Sequence, residues 1–248
     1  METRNERVVI PVDGLSMGGY VSRPAAGGPF PAVLVFMEIF GVNRHIRSVT
    51  DRLAAMGYVA LAPDYFHRTA PGIELGYDEK GIGEGKKLLG KLDAEEMIAD
   101  ARAAHAFVNG RADVVRDRIG AIGFCIGGHM TYLAACETPL VAAASFYGGA
   151  IAADRGLGGG PSTLSRTSKI RGKILCLFGG RDAMIPPAQV DAIRAALEAD
   201  RIRHEIVVYP EADHGFCCDE RASYHAPSAA DAWARVERLF AAELAGGS

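Results

Sequence analysis

The chain has 248 residues, is 49% hydrophobic and 23% charged, and carries a net charge of −3. That is an ordinary globular composition, enough for one α/β domain with a large core. The basic residues are dispersed, which argues against a nucleic-acid or anionic-membrane surface, and the longest uncharged stretch, Pro139 to Ala153, is too short and glycine-rich to span a bilayer.

In chain order, Glu6 to Val12 and Met17 to Arg23 read as a hairpin around Asp13-Gly14. Pro31 to Met37 is a continuous apolar run, as expected of a strand buried on both faces. Val42 to Met56 has helical spacing and stops at Gly57. Tyr58 to Ala62 is the next strand, and Glu79 to Leu89 a helix within a glycine-rich stretch. Asp93 to Val108 is a helix with an acidic first turn and Asn109-Gly110 past its end. Arg118 to Phe124 reads as a buried strand and Ile126 to Cys136 as an apolar helix. Leu140 to Tyr147 is a strand, and 148 to 168 a surface loop rich in Gly and Ser. Lys173 to Phe178 and His204 to Tyr209 are strands, while Pro186 to Ala199 and Ala229 to Leu244 are helices. Alternating strands and helices predict an α/β fold, a mostly parallel sheet covered on both faces. No repeat or linker interrupts the pattern, so a single domain over 1–248 is expected.

The start, Met-Glu-Thr-Arg-Asn-Glu-Arg, has no apolar signal region, and the expectation is a cytoplasmic protein. Five cysteines at irregular spacing argue against a disulfide framework. Cys136 and Cys176 sit in apolar elements and read as core.

Gly123-Phe-Cys-Ile-Gly127 carries the most information. A lone cysteine is by default a small core hydrophobe. Here it stands between a buried strand and a helix, flanked by glycines, which is the context of a nucleophile elbow. The Ile126 N–H at the helix start can then hold an oxyanion. Free cysteine titrates at about 8.5, so a nucleophilic thiol needs help to ionise. His214, in Glu211-Ala-Asp-His-Gly-Phe216 after the strand ending at Tyr209, is the candidate base. His67, His105, His129 and His204 lack that position, and His225 falls past the loop. Asp182 opens the loop after Lys173 to Phe178, at a strand's carboxyl end, where catalytic groups gather. It is the candidate that orients His214 and stabilises its imidazolium. Asp213 is adjacent to His214, and neighbouring side chains rarely meet in the needed geometry. Glu38 interrupts Pro31-Ala-Val-Leu-Val-Phe-Met-Glu-Ile-Phe-Gly41 as the first buried strand ends. It either reaches solvent or stands at the same sheet edge as Cys125. In the second reading the Ile39 loop supplies another oxyanion N–H, and the carboxylate accepts the thiol proton.

Met37-Glu-Ile-Phe-Gly-Val-Asn43, Gly123-Phe-Cys-Ile-Gly-Gly128, Gly180-Arg-Asp182 and His214-Gly-Phe216 together resemble the dienelactone hydrolase family of α/β-hydrolases. The match runs from about residue 6 to 244, in the order nucleophile, acid, histidine. The resemblance implies an α/β-hydrolase fold and hydrolysis of a small-molecule carboxylic ester or lactone. It implies Cys125 as nucleophile, His214 as base, Asp182 as its partner, and Glu38 as the residue controlling Cys125 ionisation in response to substrate. It also implies backbone N–H groups of Ile39 and Ile126 as the oxyanion hole, and no metal or organic cofactor. The family's substrate-binding arginine and tyrosine fall near Ile82 and Lys86, and its second arginine near Cys218. Lys86, Lys87 and Arg221 are the cations available for a substrate carboxylate, although lysine lacks arginine's planar fork. Phe216 and Tyr147 are further substrate-binding candidates. Tyr209, Tyr224 and Trp233 read as core or pocket wall. A monomer or weak homodimer is expected.

Two motifs and one alternative function point elsewhere. Gly14-Leu-Ser-Met-Gly18 matches a serine elbow literally but lies in the N-terminal hairpin, so Ser16 is not expected to be a nucleophile. His214, Cys217, Cys218 and Asp219 cluster in sequence, but adjacent cysteines rarely share one tetrahedral ion. The alternative function is a non-hydrolytic thiol redox sensor or ligand-binding relative, with Cys217 or Cys218 resolving Cys125. A redox switch needs neither Asp182 nor His214, and their presence favours the hydrolase.

Overall fold

The computed structural model describes residues 1–245. Eight strands form one sheet in the order β1-β2-β4-β3-β5-β6-β7-β8. The N-terminal hairpin, β1 (Thr3–Val12) and β2 (Leu15–Pro24), turns at Asp13-Gly14, both in the left-handed region. β2 pairs antiparallel with β4 (Val59–Pro63). From β4 onward every pairing is parallel, through β3 (Phe30–Phe36), β5 (Val114–Phe124), β6 (Ala142–Phe146), β7 (Lys173–Gly179) and β8 (His204–Tyr209).

The central strands explain the two-sided cover. Ala32 to Met37 and Ile174 to Phe178 are essentially inaccessible on both faces of the pleat, so helices must lie on both sides. Those helices are α1 (Arg44–Ala55), α2 (Glu79–Leu89), α3 (Ala94–Asn109), α4 (Ile126–Glu137), α5 (Pro187–Ala199) and α6 (Ala226–Leu244). α1 is capped by the Asn43 side chain, which accepts from the Ile46 N–H at 3.2 Å. Asp78 and Asp93 cap α2 and α3 in the same way.

The 148–168 segment differs from the surface loop read from its composition. It contains two short 3₁₀ helices, Leu157–Gly159 and Thr163–Lys169. The second is tied to α4, because His129 Nε2 lies 2.7 Å from Thr163 Oγ1 and the Tyr132 hydroxyl 2.7 Å from Thr167 Oγ1. Its order comes from these distant side chains rather than from its own periodicity. Among the described residues no helix is long and apolar enough to cross a membrane.

Parallel pairing brings the carboxyl ends of β3, β5, β7 and β8 to one edge of the sheet. The loops leaving those ends carry Glu38, Cys125, Asp182 and His214 respectively.

Candidate active site

Cys125 occupies the turn between β5 and α4 at φ 57° and ψ −122°. A non-glycine residue in this region carries strain of order 1–3 kcal/mol and persists only where its surroundings enforce it. Here the enforcement is steric. A Cβ on Gly123 would stand 2.1 Å from the Gly127 carbonyl, and one on Gly127 would stand 2.2 Å from the Phe36 carbonyl. Hydrogen bonds complete the turn. The Cys125 N–H donates to the Phe146 carbonyl at 3.0 Å, and the Cys125 carbonyl accepts from Gly128 N–H at 2.9 Å. Cys125 is partly exposed, whereas Cys136, Cys176, Cys217 and Cys218 are buried.

His214 and Asp182 meet across the β7–β8 loops. Imidazole Nδ1 lies 2.7 Å from Asp182 Oδ2, and Asp182 Oδ1 accepts the Met184 N–H at 2.9 Å. Asp213 instead accepts the His214 backbone N–H, at 2.6 Å. Burial disfavours the imidazolium, but the Asp182 carboxylate and the neighbouring Cys125 sulfur outweigh it and raise the His214 pKa to about 10. His214 Nε2 is itself buried, with no hydrogen bond of good geometry among the described residues. The chain thus places Cys125, His214 and Asp182 together, with a cationic imidazole favoured beside the sulfur.

The oxyanion candidates directly follow Cys125 and Glu38 in the chain. Ile126 begins α4, where backbone N–H groups have no partner within the helix. The Ile39 N–H, in the loop after β3, donates to no backbone carbonyl among the described residues.

Glu38 does not reach solvent, being 1% exposed. Its Oε1 accepts from Arg221 Nη1 at 3.0 Å, and its Oε2 has a longer 3.4 Å contact with the Tyr77 hydroxyl. Tyr77 in turn accepts from Asn43 Nδ2 at 3.1 Å. The Arg221 guanidinium also lies over the Phe40 and Tyr77 rings. Gly215 lies beneath it at φ 80°, where a Cβ would stand 2.3 Å from Arg221 Nη1. The resting structure therefore engages Arg221 with Glu38. Tyr77 and Asn43 are the residues that sequence reasoning missed. Tyr77 lies outside any periodic segment, and only the fold brings it to Glu38.

The remaining candidates fall as follows. Lys86 is exposed on α2 and has no ion-pair partner among the described residues. Tyr147 and Phe216 are fully buried behind His214. The Tyr147 ring sits edge-on to the imidazole at 5.1 Å and contacts Phe216 at 5.3 Å. The Tyr147 hydroxyl is buried without a partner among the described residues. Ser16 is exposed in β2. Four of the other histidines have structural partners. His129 bonds the Gly149 carbonyl, and burial lowers its pKa to about 4. His67 lies 3.1 Å from Asp100, His204 bonds the Ile202 carbonyl, and His225 bonds Ser228.

The model of the dienelactone hydrolase family matches residues 17–244. The chain belongs to the dienelactone hydrolase family. A relative from Synechocystis sp., named "Putative carboxymethylenebutenolidase", is 43% identical over 98% of this chain and 99% of its own length. A protein of the same name from Escherichia coli K12 is 38% identical over 93% of this chain and 84% of its own. The crystal structure of a "Putative Dienelactone Hydrolase" from Klebsiella pneumoniae superposes with a TM-score of 0.88 at 36% identity, covering 97% of this chain and 99% of that one. This dienelactone hydrolase family member is therefore an α/β-hydrolase, an enzyme of the ester- and lactone-cleaving class.

Proposed function

We propose that the protein hydrolyses a small carboxylic ester or lactone through a thioester on Cys125, with His214 and Asp182 completing the triad. The observation that carries this reading is the Asp182–His214 pair at 2.7 Å, set beside a partly exposed cysteine in a strained elbow. The raised His214 pKa suits a thiolate–imidazolium pair. The Cys125 thiolate attacks the carbonyl carbon, and the N–H groups of Ile39 and Ile126 take the developing oxyanion. The imidazolium gives its proton to the leaving alkoxide. Neutral His214 then removes a proton from water, and the resulting hydroxide cleaves the thioester. The acid product departs, and Cys125 is regenerated as thiolate beside imidazolium.

Glu38 is the control element of this reading. Held by Arg221, it stays away from the sulfur. In enzyme whose thiol is still protonated, a substrate carboxylate competing for Arg221 would free Glu38 to accept that proton, whereas in the thiolate–imidazolium form the proton already lies on His214. Acidic esters and lactones of the dienelactone type fit such a trigger, whereas neutral esters would leave the Arg221 pair intact. Tyr147 and Phe216 hold the back of the imidazole, and exposed Lys86 is a peripheral cation for the same acidic substrates.

The redox alternative draws no support from Cys217 and Cys218. Burial pushes the Cys218 thiol up to about 11 and the Cys217 thiol up as well, and buried thiols are poor resolving nucleophiles.

Hydrolysis of p-nitrophenyl acetate and of dienelactone by wild type and Cys125→Ala, measured side by side, tests the proposal. The expected result is loss of at least about 10⁴-fold in the variant on any ester that the wild type cleaves. Undiminished ester cleavage by the variant would remove Cys125 from the mechanism.

A further inference from the structure

We propose that Glu38, His45 and Cys218 form a binding site for a thiophilic divalent cation of the zinc class, entered from the cleft between α1 and α6. The bound ion inhibits the enzyme by taking Glu38. The inhibition rests on the role given to Glu38 above, whereas the binding does not.

The ligand-bearing atoms of these three side chains lie within 4.8 Å of one another, and all three residues are buried. Tetrahedral bonds of about 2.0–2.3 Å place ligands about 3.5 Å apart, so closure requires side-chain shifts of about 1 Å. The donor set is carboxylate, imidazole and thiolate, which suits zinc better than the hard, oxygen-seeking cations. Three protein ligands leave a fourth position for water.

His45 is set up as a ligand. Its Nδ1 faces Asp219 Oδ1 at 3.8 Å, while its Nε2 is buried and lacks a hydrogen bond among the described residues. A metal-bound histidine commonly points its second nitrogen at a carboxylate in this way. Glu38 also has an oxygen to offer. Among the described residues Arg221 holds Oε1, and Oε2 has only the long contact to Tyr77.

The site has an entrance. A cleft of about 340 Å³ between α1, the 217–226 segment and α6 is lined by His45, Asp219, Cys217, Arg52 and Trp233. Asp219 and Glu220 are exposed, and their carboxylates gather with His45 in a second group within the same 4.8 Å reach. Glu220 is paired with Arg44 at 3.1 Å, which leaves Asp219 as the carboxylate at the mouth. His45 is common to the cleft and to the proposed site, so a cation gathered at Asp219 would reach Glu38 and Cys218 past His45.

Binding exchanges a proton for the ion. The Cys218 thiol loses its proton to solvent as the sulfur–metal bond forms, so two anionic ligands balance the two charges of the cation. Because the thiol must lose its proton to bind the ion, affinity should increase with pH. Arg221 opposes the ion electrostatically, and binding therefore loosens the Glu38–Arg221 pair. His45 also packs edge-on against Phe124, the residue preceding Cys125, at 5.9 Å. The site is thus anchored to the elbow without using its nucleophile.

Cobalt(II) titration reads the site directly, because a cysteine–cobalt bond gives an intense near-ultraviolet charge-transfer band. The band should appear in wild type and in Cys125→Ala, and be absent from Cys218→Ser and Cys218→Ala, both checked for folding by circular dichroism. Zinc should inhibit wild-type hydrolysis of an acidic ester or lactone such as dienelactone, and His45→Ala should raise the inhibitory concentration at least about tenfold while keeping the metal-free rate. Absence of the band in wild type overturns the site. A band that survives in the Cys218 variants but is lost in Cys125→Ala overturns it too, by placing the metal on the nucleophile. Unchanged zinc sensitivity in His45→Ala contradicts the proposed ligand set. Persistent hydrolysis by Cys125→Ala would contradict the catalytic reading alone and leave the cobalt result standing.

Discussion

The Cys125 turn and the Glu38 corner share one edge of the sheet but are built by different means. The residues that shape the turn, Gly123, Gly127 and the first turn of α4, are its neighbours in sequence, and they pack against β3 at Phe36 and β6 at Phe146. The corner is held by residues far along the chain: Arg221 is 183 positions from Glu38, and Tyr77 is 39. The turn leans on the flanking strands of the central sheet, whereas the corner depends on every loop that feeds it. Fixed chemistry therefore sits on the turn, and control sits on the corner.

The largest break within the first region is Asp182→Asn. It keeps the shape but removes the charge that favours the imidazolium, and turnover should fall on the order of 10⁴-fold, measured as kcat on an activated ester. The same variant has a stability signature. His214 is raised from about 6.5 to about 10, so its protonation stabilises the fold fully below about pH 6.5 and ceases to do so as pH rises through about 10. The stability gap between wild type and Asp182→Asn in denaturant unfolding should accordingly be widest in mild acid and narrow towards pH 10. A gap that widened with pH would contradict the charge assignment.

Arg221→Ala probes the corner. It leaves Glu38 buried and unpaired, at a cost of about 3–5 kcal/mol in unfolding free energy. Reaction of Cys125 with iodoacetamide should change as well, because Glu38 is released towards the sulfur. An unaltered alkylation rate would separate the two residues functionally. The smallest effect belongs to Tyr77→Phe, which removes a 3.4 Å contact to Glu38, the Asn43 bond behind it and a hydrogen bond with Cys218. About 1 kcal/mol of stability should be lost, with kcat on neutral esters held within a factor of a few.

This contrast also describes what the sequence reveals. Strands such as β3 and β7 are legible because burial on both faces demands unbroken apolar runs. The elbow is legible because its steric needs fall on adjacent residues, and the positions of Asp182 and His214 follow from the strand ends that carry them. The Glu38 environment is not legible. Arg221 reads as a free cation for substrate, yet the fold spends it on Glu38. Tyr77 and His45 come to Glu38 only through the path of the loops, and nothing in their local sequence marks that destination. The 3₁₀ helix Thr163–Lys169 is hidden for the same reason, since His129 and Tyr132 of α4 supply its anchors.

The most direct test of the central claim is to trap the acyl-enzyme. Wild-type protein mixed with p-nitrophenyl acetate, quenched in acid within the first turnovers and digested, should yield one acetyl group on the peptide containing Cys125, and the adduct should disappear in Cys125→Ala. Acetyl on another side chain that forms and decays at the rate of turnover would contradict the account.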